Sequence, residues 1–361
     1  MKIGTLTFHT AHNYGAMLQA YALVYYLKQQ GHDTEIIDYK AEFNEKRFAK
    51  KTISHFLNIR EIYNIIFRNG YQKPCPEAFK DFYDNYLIKS TRSYSKDELK
   101  LAGTKYDRIV AGSDQVWNLA CTDGDDAYFL PFVSDDKRYS YAASMGINQI
   151  PEPQKERLTD YLQHFNCISV REKEAVGIVK SLTGKEAVQT IDPTLLLTKE
   201  QWAEIADYSR CPSDKYLLIY LMSEDRELLT FAERYAKAHY LKIVYISQRL
   251  FKRINASYLK DVTPNQWLGL FLNAEVIVTN SFHGSAFGIN FGKDLFIKFI
   301  HRSIANSRLQ TLVDDYNLSG HLLKNDHDFV GQEKVDIDEI SDALKKYRKL
   351  SYEYISNYLL K

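Results

Sequence analysis

Between Val276 and Phe296 the sequence reads VIVTNSFHGSAFGINFGKDLF. The β-branched run to Thr279 predicts a strand, the polar residues after it a turn, and the small residues from about Gly284 a helix. In an open α/β sheet such a junction lies on the carboxyl edge, where ligands bind. The free amides of the helix start, around Gly284, Ser285 and Ala286, attract an anion, and the helix dipole adds to the attraction, which makes Ser281, Gly284 and Ser285 candidates for binding an anionic donor. His283 stands at the same turn, where an imidazole can donate a proton to a bound anion and act as general acid. A histidine that merely caps the helix is the plainer alternative, but two hydroxyls and a glycine around it favour chemistry.

Cations follow. The stretch KDLFIKFIHRSIANSR, 293–308, carries Lys293, Lys298, Arg302 and Arg308 against Asp294. Arg302 and Arg308 are the two that fit bidentate capture of a carboxylate or phosphate. In the first half, YDRIVAGSDQVWN ends a strand in a Gly-Ser-Asp turn, so Ser113, Asp114, Gln115 and Trp117 are candidates to line the cleft. The alternative there is an Asx turn with Trp117 in the core. The loop His9-Thr10-Ala11-His12-Asn13-Tyr14-Gly15 follows the first strand in the same way and makes His12, Asn13 and Tyr14 candidates. Its single glycine is no dinucleotide fingerprint. Arg171 sits just beyond a buried strand, either facing the cleft or paired with Glu172 or Glu174. Asp192-Pro193-Thr194 reads most simply as a turn into a linker.

These residues require a sheet to hold them. Strand-like runs at 3–8, 35–38, 108–111, 139–143, 167–170 and 188–191 alternate with helices or loops, and a second series follows at 216–221, 242–246, 276–279 and 295–299. Alternation of this kind predicts mainly parallel sheets covered by helices. The boundary falls near 195, giving domains at 1–195 and 196–335 and a C-terminal helix at 336–361. A helical insertion at about 40–100 interrupts the first domain. Its residues 40–73 hold eight basic and three acidic side chains; a solvated helix face is the simpler reading, and weak peripheral contact with anionic lipid the sharper one.

Composition narrows the partners. The 361 residues carry 47 Lys+Arg and 46 Asp+Glu, a formal charge of +1, which argues against a nucleic-acid surface but allows a local cationic site. Four cysteines without clustered partners, Cys75, Cys121, Cys167 and Cys211, indicate neither a zinc site nor a disulfide framework. A start without an apolar leader core and apolar runs too short for a span lead to the expectation of a cytoplasmic chain. Its 27 tyrosines suit core packing, with some left over for a polar cleft.

The blocks GTLTFHTAHNYGAMLQAYAL, VAGSDQVWN, SYAASMG, ISVREKEA, DPTLLL and TNSFHGSAFGINFGKDLF, in this order, resemble the polysaccharide pyruvyl transferase family across residues 4 to about 310. The resemblance implies a GT-B-like fold, two Rossmann-like domains facing across a cleft, with the C-terminal helix packing back on the first domain. It implies transfer of pyruvate from phosphoenolpyruvate to a saccharide, often as a ketal, in cell-surface polysaccharide synthesis, with no metal or organic cofactor. His283 matches the family's proposed acid and Arg171 a donor-binding cation. A further basic residue aligns with Arg302 or Arg308, of which Arg308 fits better. The acceptor would be a nucleotide- or lipid-linked saccharide. Two other readings are a nucleotide-sugar glycosyltransferase and a non-catalytic saccharide-binding relative. The oligomeric state is left open.

Overall fold

The computed structural model describes residues 1–42, 76–249, 251–300, 306–323 and 336–361. Most of the basic stretch 40–73, and Arg302 with it, lies outside the described residues.

In the first half the order is β1 (Lys2–Leu6), α1 (Tyr14–Gln29), β2 (Asp33–Ile36), α2 (Glu77–Asn85), α3 (Leu99–Gly103), β3 (Arg108–Ala111), β4 (Arg138–Ser140), α4 (Glu152–Leu162), β5 (Ile168–Val170), α5 (Lys173–Thr183) and β6 (Ala187–Gln189). Strands β2-β1-β3-β4 form one sheet, and the parallel bridges Tyr139↔Cys167 and Ala143↔Val170 carry it on to β5-β6. Every pairing is parallel, so all the strands end on one edge. The second half runs α6 (Lys199–Ala203), β7 (Tyr216–Tyr220), α7 (Arg226–Ala238), β8 (Lys242–Ile246), β9 (Ser257–Leu259), α8 (Pro264–Asn273), β10 (Val276–Thr279), α9 (Phe282–Asn290), β11 (Asp294–Ile297), α10 (Asn306–Asp315) and α11 (Ile337–Tyr354). Its sheet, β11-β10-β7-β8-β9, is again wholly parallel. Strand β9 is an addition to the elements read from sequence.

Helix α1 joins the halves. Its sequence, YGAMLQAYALVYYLKQ, is apolar nearly all round, the signature of a helix covered on most faces, and residues 14–24 are buried. Tyr14 stacks on Trp267 of α8 with ring centroids 5.6 Å apart, and its hydroxyl donates to the Val262 carbonyl at 2.7 Å. Helix α11 reaches the first half from the other end of the chain. The Tyr354 hydroxyl donates to the Ser140 carbonyl at 3.0 Å, and the Ile191 amide donates to Ser351 Oγ at 3.0 Å. Arg348 donates to the carbonyls of Leu195 and Leu197 at 2.7 and 2.9 Å, fixing the linker between the sheets. One apolar cluster runs through all of this, from Leu18 and Leu23 through Leu196 and Trp202 to Phe287 and Ile355.

The tyrosines belong largely to that core. Tyr14, Tyr94, Tyr106, Tyr128, Tyr141, Tyr216 and Tyr316 are fully buried, so packing, rather than a wet aromatic cleft, accounts for their abundance. No helix among the described residues is long and apolar enough to cross a membrane.

Candidate active site

Helix α9 begins at Phe282, two residues earlier than its small-residue pattern indicates, because Ser281 is its cap. The Ser281 Oγ accepts from the Gly284 amide at 3.2 Å, which satisfies one of the amides a helix start leaves open. The Ser285 hydroxyl donates back to the Ser281 carbonyl at 3.0 Å. Ser281, Gly284 and Ser285 are therefore committed to building the helix, which corrects their reading as anion-binding groups. What the early start achieves is to place His283 in the first turn, facing the first half of the chain.

There it meets two residues. A β-carbon on Gly15, in the first turn of α1, would lie 2.0 Å from His283 Nδ1, so glycine is what lets the ring seat against that helix. On its other side His283 Nε2 is 3.7 Å from Asp192 Oδ2, beyond hydrogen-bond length. Asp192 follows β6 and is fully buried. Its Oδ1 accepts from the amide and hydroxyl of Thr194 at 3.0 and 2.8 Å. Its Oδ2 accepts from Arg171 Nη1 at 2.6 Å and Ser113 Oγ at 3.1 Å.

Arg171, directly after β5, is thus paired with Asp192 rather than with Glu172 or Glu174. Its guanidinium lies over the Phe282 ring at 4.3 Å, and that of Arg308, on α10, at 5.7 Å. Asp114 sits between them: its Oδ1 is 3.6 Å from Arg171 Nη2 and 3.7 Å from Arg308 Nη1. Asp114 holds a left-handed backbone, φ 70°, uncommon outside glycine and asparagine. Glu172 completes the group, accepting from the Ser144 hydroxyl.

The electrostatics follow from burial. Burial opposes the charge on Asp192, but His283, Arg171 and the Thr194 amide outweigh it and hold the carboxyl far below its usual range. Burial also opposes the charge on Arg171, and Asp192, Glu172 and Asp114 overcome it, raising the guanidinium further. Arg308 moves the opposite way. Burial and the neighbouring Arg171 push it down, with Asp114 and Glu172 compensating only in part. Several buried polar atoms here lack a hydrogen-bond partner: Arg171 Nε and Nη2, Arg308 Nε, His283 Nε2 and Glu172 Oε2. Such atoms are rare in folded proteins because each costs desolvation without return. A cluster rich in unsatisfied donors around two guanidinium groups is built to receive an anion with several oxygens.

The other candidates fall outside this group. Trp117 is buried, donates to the Tyr128 carbonyl at 3.2 Å and stacks on Phe129; Tyr14 is core. Neither can offer a face to a sugar, which corrects both. Asn13 caps α1, its side chain accepting from the Ala16 amide at 3.1 Å. Gln115 accepts from Asn118 at 3.1 Å and supports the turn. His12 lies on the same loop, its ring tilted on Phe79. The cationic stretch 293–308 also divides. Lys293 stands at the amino edge of the sheet, where burial and Lys199 lower it to about 8. Lys298 is spent on Asp225 and Glu227. Of the described residues in that stretch, Arg308 is the one that joins Arg171.

Asp192 is the residue that sequence reasoning missed. The rule that singled out Arg171, a charged residue just past a buried strand, applies equally to the aspartate after Ala187–Gln189. The proline beside it drew the reading toward a turn.

The fold and the family emerge from comparison. The chain superposes on Methanocaldococcus jannaschii UDP-GlcNAc 2-epimerase in complex with UDP-GlcNAc and UDP, with TM-score 0.54, 14% identity and coverage of 100% of this chain and 99% of that one. It superposes on the S. aureus MnaA–UDP co-structure with TM-score 0.52, 13% identity and coverage of 99% and 97%. For the Neisseria meningitidis UDP-GlcNAc 2-epimerase bound to UDP-GlcNAc the values are 0.50, 9%, 97% and 94%. At these identities the likeness is one of fold, and that fold is GT-B. A comparison with functionally curated proteins gives no match. The sequence model for polysaccharide pyruvyl transferases matches residues 13–296, a span that takes in Asp114, Arg171, Asp192 and His283, and on that match the chain belongs to the polysaccharide pyruvyl transferase family.

Proposed function

We propose that this protein transfers a pyruvyl group from phosphoenolpyruvate to a nucleotide- or lipid-linked saccharide in the cytoplasm, for cell-surface polysaccharide synthesis, without a metal or organic cofactor. The observation that carries the reading is the cluster of unpartnered buried donors on Arg171, Arg308 and His283. Phosphoenolpyruvate bears a carboxylate and a phosphate on adjacent atoms. The two guanidinium groups face one such doubly anionic ligand, and Asp114, loosely held between them, is the counter-ion it replaces.

His283 Nε2 then gives its proton to the methylene carbon, turning the C=C bond into a methyl group and leaving C2 electrophilic. A sugar hydroxyl attacks C2, its proton replacing the one His283 gave up, and the C2–O bond to phosphate breaks, the electron pair leaving with the phosphate. A second hydroxyl closes on C2 to give the ketal, and its proton passes to the phosphate, which departs as the dianion. Arg171 and Arg308 neutralise the departing dianion in a site already screened from water. Asp192 touches neither substrate atom; it holds Arg171 and faces the imidazole, so it positions both. The glycosyltransferase alternative calls for a carboxylate at the carboxyl edge of the second sheet to hold a ribose. Glu275 precedes β10 and pairs with Lys215 at 3.3 Å on the opposite edge. Of the acids that follow β7 at the carboxyl edge, Glu224 is paired with Arg249 at 2.6 Å and Asp225 with Lys298 at 2.9 Å.

The test is phosphate release from phosphoenolpyruvate with a panel of nucleotide- and lipid-linked saccharides, the product identified by mass. A mass gain of one pyruvyl ketal on an acceptor establishes the reaction. No release with any acceptor, together with turnover of a nucleotide sugar, overturns it.

A further inference from the structure

A cavity opens where the β1–α1 loop and the start of α1 meet α2. It encloses about 310 Å³ and is lined by Thr10, His12 and Met17 together with Phe79, Lys80 and Tyr83 of α2. The volume falls at the lower end of the range for small-molecule sites. It sits on the loop after β1, at the carboxyl edge of the first sheet, and that loop leads within three residues of His12 to Gly15, against which the His283 ring packs.

Its chemistry differs from that of the arginine cluster. Phe79, Met17 and the Tyr83 ring make an apolar floor, and Thr10 and His12 bring polar groups to the rim. The cations are balanced: Lys80 is paired with Asp84, and Glu77 stands beside it on the cavity wall. An anion gains little here, whereas a neutral ring with hydroxyls at its edge and C–H groups on its face matches both surfaces.

The wall is also braced by a buried charge that the proposed reaction leaves unused. The Tyr83 hydroxyl donates to Asp38 Oδ1 at 2.8 Å. His9 Nε2 meets the same oxygen at 2.9 Å, and the Ser93 hydroxyl donates to Asp38 Oδ2. Burying a carboxylate is costly unless it is fully hydrogen-bonded, and Asp38 is 4% exposed. A network of this kind locks the orientation of the ring it holds, here the aromatic side of the cavity.

We infer that the cavity between the β1–α1 loop and α2 is a saccharide subsite that seats a pyranose of the acceptor, next to but separate from the anion site. This rests on the proposed pyruvyl transfer for the identity of the sugar as acceptor, but not for its binding. The test is saturation-transfer NMR on the full chain with methyl galactoside, methyl glucoside and methyl N-acetylmannosaminide, alongside the thermal shift produced by phosphoenolpyruvate. The expected result is saturation of at least one glycoside, undiminished by phosphoenolpyruvate. Thr10→Trp, which fills the cavity, should weaken binding at least tenfold, and His12→Ala, which keeps the space, should weaken it less. His283→Ala should leave it unchanged. No saturation by any glycoside, equal saturation in Thr10→Trp, or displacement by phosphoenolpyruvate overturns the inference. Saturation that depends on Thr10 in a chain that phosphoenolpyruvate does not stabilise would sustain the subsite while refuting the proposed donor.

Discussion

The imidazole of His283 packs against Gly15 so closely that a β-carbon at position 15 would fall 2.0 Å from Nδ1 and 2.1 Å from Cγ. The two residues are 268 positions apart in sequence and belong to opposite halves of the fold. Their contact, more than any hydrogen bond, sets where the imidazole stands relative to Arg171 and Asp192.

Gly15→Ala should therefore act on the reaction before it acts on stability. Alanine suits a helix better than glycine, so the helix itself gains, while the ring must move by an ångström or more to clear the new carbon. Misplacement on that scale costs on the order of 100-fold in rate. Pyruvyl transfer by Gly15→Ala, measured as phosphate release, should fall by about that factor with the melting temperature nearly unchanged. Wild-type turnover would mean that the position of the ring is not limiting.

His283→Ala should abolish transfer. Loss of a general acid costs on the order of 100- to 10,000-fold, and the circular dichroism spectrum should not change. Activity retained within tenfold would remove the histidine from the reaction.

Asp192→Asn tests the buried carboxylate through stability. It leaves Arg171 without its full counter-charge, and breaking one side of a buried pair costs about 3–5 kcal/mol. The acid dependence should change as well. The carboxyl of Asp192 is depressed in the folded state, so its contribution is present above the ordinary carboxylate range and lost as pH falls through and below it. Urea titrations of the wild type from pH 7 down to about 3 should show a steeper loss than those of Asp192→Asn. Parallel curves would mean that Asp192 carries no such charge.

Arg308→Ala should separate binding from folding. Burial and Arg171 both disfavour this cation, so its removal should leave the unfolding free energy unchanged or raised. The apparent KM for phosphoenolpyruvate should rise at least tenfold, one charge-assisted contact being worth about 1.5–3 kcal/mol. Arg171→Ala, by contrast, strands Asp192 and should destabilise. Equal destabilisation in the two variants would contradict the asymmetry between the arginines.

The buried tyrosines predict alkaline unfolding. Burial raises the phenols, Tyr347 to about 12 with Asp315 assisting and others, such as Tyr128 and Tyr141, higher still. Their stabilising effect is complete below the unfolded value near 10 and is lost as pH rises above it. Phenolate absorbance and loss of ellipticity should therefore climb together above about pH 10; phenolate formation in a still-folded chain would show that the rings are accessible.

Much of this protein is legible along the chain. The short apolar runs at 108–111, 216–220, 242–246 and 276–279 mark strands because a parallel sheet covered on both faces admits little else. Thr263-Pro264 marks a helix start because the cap and the missing amide hydrogen leave few alternatives there. The family blocks lie in the same reading; Arg171 stands out as a charged residue just past a buried strand, His283 by its place in a strand–turn–helix junction, and Arg308 as part of the cationic stretch that follows. Only the tertiary structure decides which of them meet. Asp192 becomes the centre of the site because the edges of two sheets converge on it, a long-range fact that the local Asp-Pro-Thr sequence cannot carry. Trp117 and Tyr14 go to the core for the same reason: a side chain near a loop takes whichever side the packing leaves for it. Ser281 and Ser285 are absorbed by helix α9 because the Ser281 hydroxyl oxygen caps the Gly284 amide and the Ser285 hydroxyl donates back to the Ser281 carbonyl, a use of both side chains that only the folded turn brings about.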